Sequence, residues 1–244
     1  GCEWRVAARV VWGQGWGRLG GSRAGGRRPC CQAGEGRGGR VRRLGGAGHD
    51  SAHVELGGGL GVPYSRTNPP PPAPPAYAEI VKRHVRDLDC KVVFEPGRLI
   101  AANAGILVTR VVYVKEAEGK TFVIVDAGMN DLIRPTLYDA WHDIHPVIDD
   151  PDAPRLVADV VGPVCESGDY FARARDIPEV KAGDLVYLSS AGAYGAVQSG
   201  TYNSRPLIAE VLVKGDAFHA IRPRQTIDEM IALDRLPPCL GGDH

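Results

Sequence analysis

Residues 52–56 alternate apolar and polar side chains, the period-two pattern of a strand, and run straight into Gly57-Gly58-Gly59-Leu60-Gly61. A strand followed by a glycine loop is expected. Residues 69–75 are nearly all proline, which predicts extended polyproline-like chain unable to form helix or ladder. Helical spacing of apolar positions then predicts a helix over residues 77–85, and residues 91–94 read as a short buried strand ending at Glu95-Pro96-Gly97-Arg98. Strand, loop, helix, strand is the repeating unit of a parallel α/β barrel.

Beyond Arg98 the pattern is strand-dominated. Residues 106–114 and 121–126, separated by Glu116-Ala117-Glu118-Gly119, predict a hairpin. Residues 156–161, 184–189 and 207–213 are apolar, β-branched and bounded by Gly, Pro, Asp or Ser, so they predict further strands of an antiparallel β domain. Thr226-Ile227-Asp228-Glu229 is a capping box opening a last helix, which Leu236-Pro237-Pro238 stops. The expected fold is therefore α/β plus β: a partial barrel of TIM type over residues 44–103, then a β domain with a terminal helix over residues 104–244.

Composition alters this picture at the N-terminus. The 244-residue chain is 43% hydrophobic, enough for a core, and carries 29 basic and 29 acidic side chains. Net neutrality offers no global handle for nucleic acid or an anionic membrane, and a small-molecule ligand is expected instead. The neutrality hides an asymmetry, because residues 1–43 are rich in glycine and arginine, almost free of acidic side chains, and without apolar period. Disorder is expected there, with a frameshifted or mis-assigned start as its preferred origin and an Arg/Gly nucleic-acid tail as the weaker reading. Six scattered cysteines show no paired CxxC spacing, so neither a metal site nor a disulfide framework is predicted, and a reducing cytoplasm suits them. No run is long and apolar enough to cross a bilayer.

Three segments carry candidate chemistry. A glycine triplet at a strand end lets backbone N–H groups approach a phosphate closely. Glu95 and Arg98, flanking Pro96 and Gly97, place a carboxylate and a guanidinium within four residues, suited to a ligand with both a protonatable nitrogen and an anion. Cys165 and Glu166 follow an apolar strand, where a thiol among polar neighbours can deliver a proton.

Residues 53–64 (HVELGGGLGVPY), 95–98 (EPGR), 126–135 (DAGMNDLIRP), 162–169 (GPVCESGD), 191–195 (AGAYG) and 202–206 (YNSRP) occur in one order. As a set they resemble the motifs of diaminopimelate decarboxylases, over about residues 44–240. The resemblance implies a pyridoxal 5'-phosphate enzyme with an alanine racemase-like C-terminal domain, turning meso-2,6-diaminopimelate into L-lysine and carbon dioxide. It implies that Gly58 and Gly59 contact the cofactor phosphate, that Glu95 pairs with the pyridine nitrogen, and that Pro96, Gly97 and Arg98 line the phosphate and substrate end. It implies that Tyr194 contacts cofactor and substrate, and that Arg98, Arg134, Tyr138 and Glu166 hold the substrate. Cys165 matches the cysteine that returns a proton to the substrate carbon, donated across a homodimer with shared active sites.

One departure stands beside the match. The family's cofactor-anchoring lysine lies on earlier barrel strands, and residues 1–43 hold no lysine. Lys82, Lys91 and Lys115 sit in helix, strand-start and hairpin positions, outside the anchoring motif. The chain is expected to be the C-terminal part of such an enzyme, impaired as it stands. Related ornithine or arginine decarboxylases are the alternative within the fold; a non-catalytic relic is the alternative outside enzymes.

Overall fold

The computed structural model describes residues 8–12, 53–66, 68–88, 90–237 and 239–240. It divides into two compact units, one of Gln14–Asn103 and one of Gly1–Gly13 with Ala104–His244.

The first unit holds β2 (His53–Glu55), α1 (Pro74–Val85), β3 (Lys91–Val93) and α2 (Gly97–Ala101). β2 and β3 pair in parallel, with Val54 opposite Val92, across a connection that contains α1. This is the expected barrel unit. Val54 and Leu56 bury against Val81 of the helix, with Tyr77, Val85 and Val92 packed around them. Two expectations need correction. Pro74 and Pro75 open the helix rather than preceding it, because the first turn needs no N–H from either position and proline's fixed φ already suits it. β3 is not buried: Val93 is exposed, since in the described residues β3 has a strand on one side only.

The second unit is built on one sheet, nine-stranded among the described residues. Its strands are β1 (Ala8–Trp12), β4 (Gly105–Ala117), β5 (Lys120–Val125), β6 (Ile144–Pro146), β7 (Arg155–Val161), β8 (Tyr170–Pro178), β9 (Leu185–Leu188), β10 (Ala209–Lys214) and β11 (Ala217–Arg222). The order runs β11-β10-β1-β4-β5-β7-β8, with β9 also on β4 and β6 on β9. β4 takes three partners: its first half lies between β1 and β9, and its second half pairs with β5. The predicted hairpin is present, closed by a two-residue turn at Glu118-Gly119. The sheet is mixed rather than purely antiparallel, because β1 runs parallel to β10 and β5 parallel to β7.

The expectation of disorder over residues 1–43 fails at Ala8–Trp12, where two valines and a tryptophan give strand propensity and both neighbours supply ladder partners. The rest of that segment, and the expected boundary at residue 44, lie outside the described residues. The core gathers Leu107, Val111, Val125, Val160, Phe171 and Leu188, all essentially inaccessible. Each such side chain contributes about 1.5–3 kcal/mol through burial. Short helices α3 (Arg134–Tyr138) and α4 (Ile227–Ile231) complete the unit, and Thr226 with Glu229 forms the predicted capping box. α4 ends at Ile231, five residues before the expected Leu236 stop, because its Ile227 and Ile231, and Leu233 just beyond it, are all exposed and no packed face extends it.

Candidate active site residues

In the first unit the candidate groups lie on two loops that leave the same end of the parallel pair, just past the C-terminal ends of β2 and β3. Ligands of parallel α/β sheets bind at that end. The loops interlock through Leu56 N–H to the Val93 carbonyl and Glu95 N–H to the Gly57 carbonyl, each 3.0 Å. A β-carbon on Gly58 would sit 2.5 Å from the Glu95 carbonyl oxygen, so only glycine fits, while Gly59 has φ +94°. The Gly97 N–H caps the Glu95 carbonyl at 2.9 Å, and Pro96 precedes the first turn of α2. Arg98, the second residue of α2, reaches the Leu60 carbonyl at 3.5 Å. Gly58, Gly59, Glu95, Pro96, Gly97 and Arg98 are thus brought together.

In the second unit Arg134 opens α3, followed by Pro135, which favours a first helical turn. Arg134 is buried, 8% exposed, where an ordinary arginine would be exposed. Its Nη1 donates to His142 Nε2 at 3.0 Å, and its guanidinium lies 6.0 Å from the centre of the Tyr194 ring. Tyr194 is 46% exposed and held at φ +58°, a left-handed conformation costly for a tyrosine and common at ligand sites. Tyr138, at the end of α3, is 52% exposed rather than in the core.

Cys165 and Glu166 ride on the loop between β7 and β8. Asp169 shapes that loop. Its carboxylate accepts N–H bonds from Val164 at 2.5 Å and from Met129 at 2.6 Å, and its carbonyl accepts from Gly162 at 3.0 Å. Gly162 leaves room for this, since a β-carbon there would meet both Asp169 carboxylate oxygens. Burial raises the Asp169 carboxyl above its ordinary value, opposed by those two backbone bonds and by Arg205. Thr136 of α3 donates to the Gly168 carbonyl, tying loop to helix. Cys165 is an exposed free thiol. Glu166 accepts from the Tyr202 hydroxyl at 3.3 Å, and its charge raises the Tyr202 phenol.

The segment at residues 126–131 is structural scaffolding for these groups. Arg205 donates to the Asp126 carbonyl at 2.6 Å and to Asn130 Oδ1 at 2.9 Å, and sits 3.6 Å from Asp131. Asp126 in turn accepts from Thr109 of β4 at 2.6 Å. Sequence reasoning singled out neither His142, Asp169, Tyr202 nor Arg205 individually. The last three lie within quoted motifs, the only signal that pointed at them.

Residues 29–192 match the family of pyridoxal-dependent decarboxylases through its C-terminal sheet domain. The chain belongs to that family. A diaminopimelate decarboxylase of Zymomonas mobilis is 52% identical over 185 residues, 76% of this chain and 44% of that protein. The diaminopimelate decarboxylase of Helicobacter pylori, solved with L-lysine, superposes with a TM-score of 0.76 at 37% identity, covering 84% of this chain and 50% of that one. The enzyme of M. jannaschii, also solved with L-lysine, gives 0.80 at 32% identity, covering 86% and 49%. The chain spans about half the length of these relatives. The family's cofactor is pyridoxal phosphate, and the Gly58 and Glu95 loops fit it: a backbone cradle without a β-carbon, beside a carboxylate and a guanidinium.

Proposed function

We propose that the protein decarboxylates meso-diaminopimelate to L-lysine and carbon dioxide, and that this chain carries the C-terminal share of the machinery. The observation that carries the reading is Arg134: a guanidinium buried and pinned before any ligand arrives, beside an exposed, strained tyrosine. A fixed cation suits a second carboxylate remote from the reacting carbon. Ornithine and arginine have no such carboxylate, and a pinned guanidinium would meet nothing on them.

Within this reading Gly58 and Gly59 receive the cofactor phosphate, Glu95 keeps the pyridine nitrogen protonated, and Pro96, Gly97 and Arg98 line the phosphate and substrate end. Pyridoxal phosphate, when bound, supplies the sink for the electron pair left by carbon dioxide. Tyr194 contacts cofactor and substrate, and Tyr138 and Glu166 help hold the substrate. Cys165, exposed on a loop fastened by Asp169, returns the proton to the substrate carbon across a homodimer with shared sites. Its free thiol suits a reducing cytoplasm. Residues 44–103 are the end of the cofactor-binding barrel and residues 104–244 the β domain.

The test is the full-length enzyme carrying this segment, assayed for lysine and carbon dioxide from meso-diaminopimelate, with ornithine and arginine as comparators. Arg134→Ala is expected to keep cofactor absorbance and lose about a hundredfold or more in kcat/KM. Equal loss of cofactor and turnover, or preference for ornithine, would show the assignment to be wrong.

A further inference from the structure

One of the groups that hold Arg134 contributes no charge. His142, with a side chain fully inaccessible, lies eight residues after it and accepts its Nη1 hydrogen at Nε2, 3.0 Å away. The other ring nitrogen, Nδ1, meets the Ser189 carbonyl just beyond β9 at 2.8 Å. A guanidinium only donates and a carbonyl only accepts, so the imidazole between them carries its hydrogen on Nδ1 and offers a lone pair at Nε2.

Arg175 of β8 fixes the same stretch from the other side. Its Nη1 donates to the His142 carbonyl at 2.8 Å, and its guanidinium stacks 3.3 Å from the centre of the Trp141 ring. Two guanidinium groups therefore bear on one imidazole, with the carboxylate of Asp143 as the opposing charge. A protonated ring would put three cations together and destroy the acceptor that Arg134 uses.

We propose that His142 is a positioning residue, a neutral acceptor locked in one tautomer that sets the direction of the Arg134 guanidinium and so selects substrates bearing a distal carboxylate. This rests on the reading of Arg134 given above. An aspartate or glutamate in the same place would orient the guanidinium and also cancel its charge. Imidazole orients it without adding a negative charge of its own.

Two measurements test this. In the ¹⁵N-histidine spectrum of the 244-residue chain at pH 7, the ring signals that vanish in His142→Gln should show hydrogen on Nδ1 and none on Nε2, and Arg134→Ala should move the Nε2 signal. In the full-length enzyme, His142→Phe should raise KM for diaminopimelate by about tenfold or more with kcat and cofactor absorbance little changed. His142→Gln, which keeps a neutral acceptor, should return KM to within roughly threefold of wild type. Hydrogen on Nε2, a doubly protonated ring at pH 7, or Phe and Gln variants with the same KM would overturn the proposal. If the wild-type enzyme ignores diaminopimelate, the functional reading fails by itself, and an Nε2 signal unmoved by Arg134→Ala overturns the contact independently.

Discussion

The carbonyl oxygen of Glu95 occupies the space that a side chain on Gly58 would need, 2.5 Å from the β-carbon position. The contact is with main chain on both sides, so no rotamer change relieves it. Gly58→Ala is expected to push the two loops apart, at about 1–3 kcal/mol. Pyridoxal phosphate affinity, followed by absorbance, should drop more than the melting temperature. Gly200→Ala, where nothing lies within 4 Å, should leave both unchanged.

Asp169→Asn removes one of two backbone-accepting oxygens and turns an amide donor toward the N–H of Met129 or Val164. A loss of about 1–3 kcal/mol is expected from the donor left unmatched. The consequence should concentrate in the β7–β8 loop: alkylation of Cys165 should speed up well below the unfolding transition. Alkylation at the wild-type rate would mean that Asp169 does not hold that loop.

The pH dependence of stability should carry a His142 signature. Burial, with the charges of Arg134 and Arg175, lowers the ring from 6.5 to about 4, despite its bond to Ser189 and the charge of Asp143. As pH falls through 6.5 the unfolded chain takes up this proton and the folded chain does not. Stability present above pH 6.5 is therefore lost progressively down to about pH 4, by roughly 3 kcal/mol. Urea unfolding from pH 7 to 4.5 should show a shallower decline in His142→Gln than in wild type. Parallel curves would count against the buried neutral ring. Asp169, raised by burial, acts with the opposite sign and is common to both proteins.

Borohydride reduction of the 244-residue chain with pyridoxal phosphate should label no single lysine stoichiometrically. All six lysines are exposed, and Lys82 is engaged with Glu79 at 2.8 Å. None is buried in the way of a lysine held ready for a carbonyl. Peptide mass analysis showing full labelling at Lys91, for instance, would refute this.

What could be read in the chain was what repeats locally. The β4–β5 hairpin, β7, β9 and the Thr226 capping box announce themselves through alternation or spacing within a few residues. β8 escaped because Arg173 and Arg175 interrupt its apolar run, and Arg175 is received there by Trp141 and the His142 carbonyl, more than thirty residues away in sequence. β11 escaped because all six of its residues are exposed and leave no period to detect. The site behaved in the same way. Arg134 and Cys165 were visible through motifs; Asp169, which fastens the Cys165 loop, lay inside one of them without standing out, and His142, which holds Arg134, lies in none.

The boundary between Asn103 and Ala104 has a bearing on how such a protein diversifies. The groups proposed to grip the cofactor, apart from Tyr194, precede it, and those proposed to read the far end of the substrate, apart from Arg98, follow it. Mutations that retune the substrate can then accumulate around Arg134 and His142 in a sheet whose core is its own. The glycine loop and Glu95 belong to the other unit, so the groups proposed to hold the cofactor and those proposed to choose the substrate can vary separately, save for Cys165, whose loop Thr136 ties to α3.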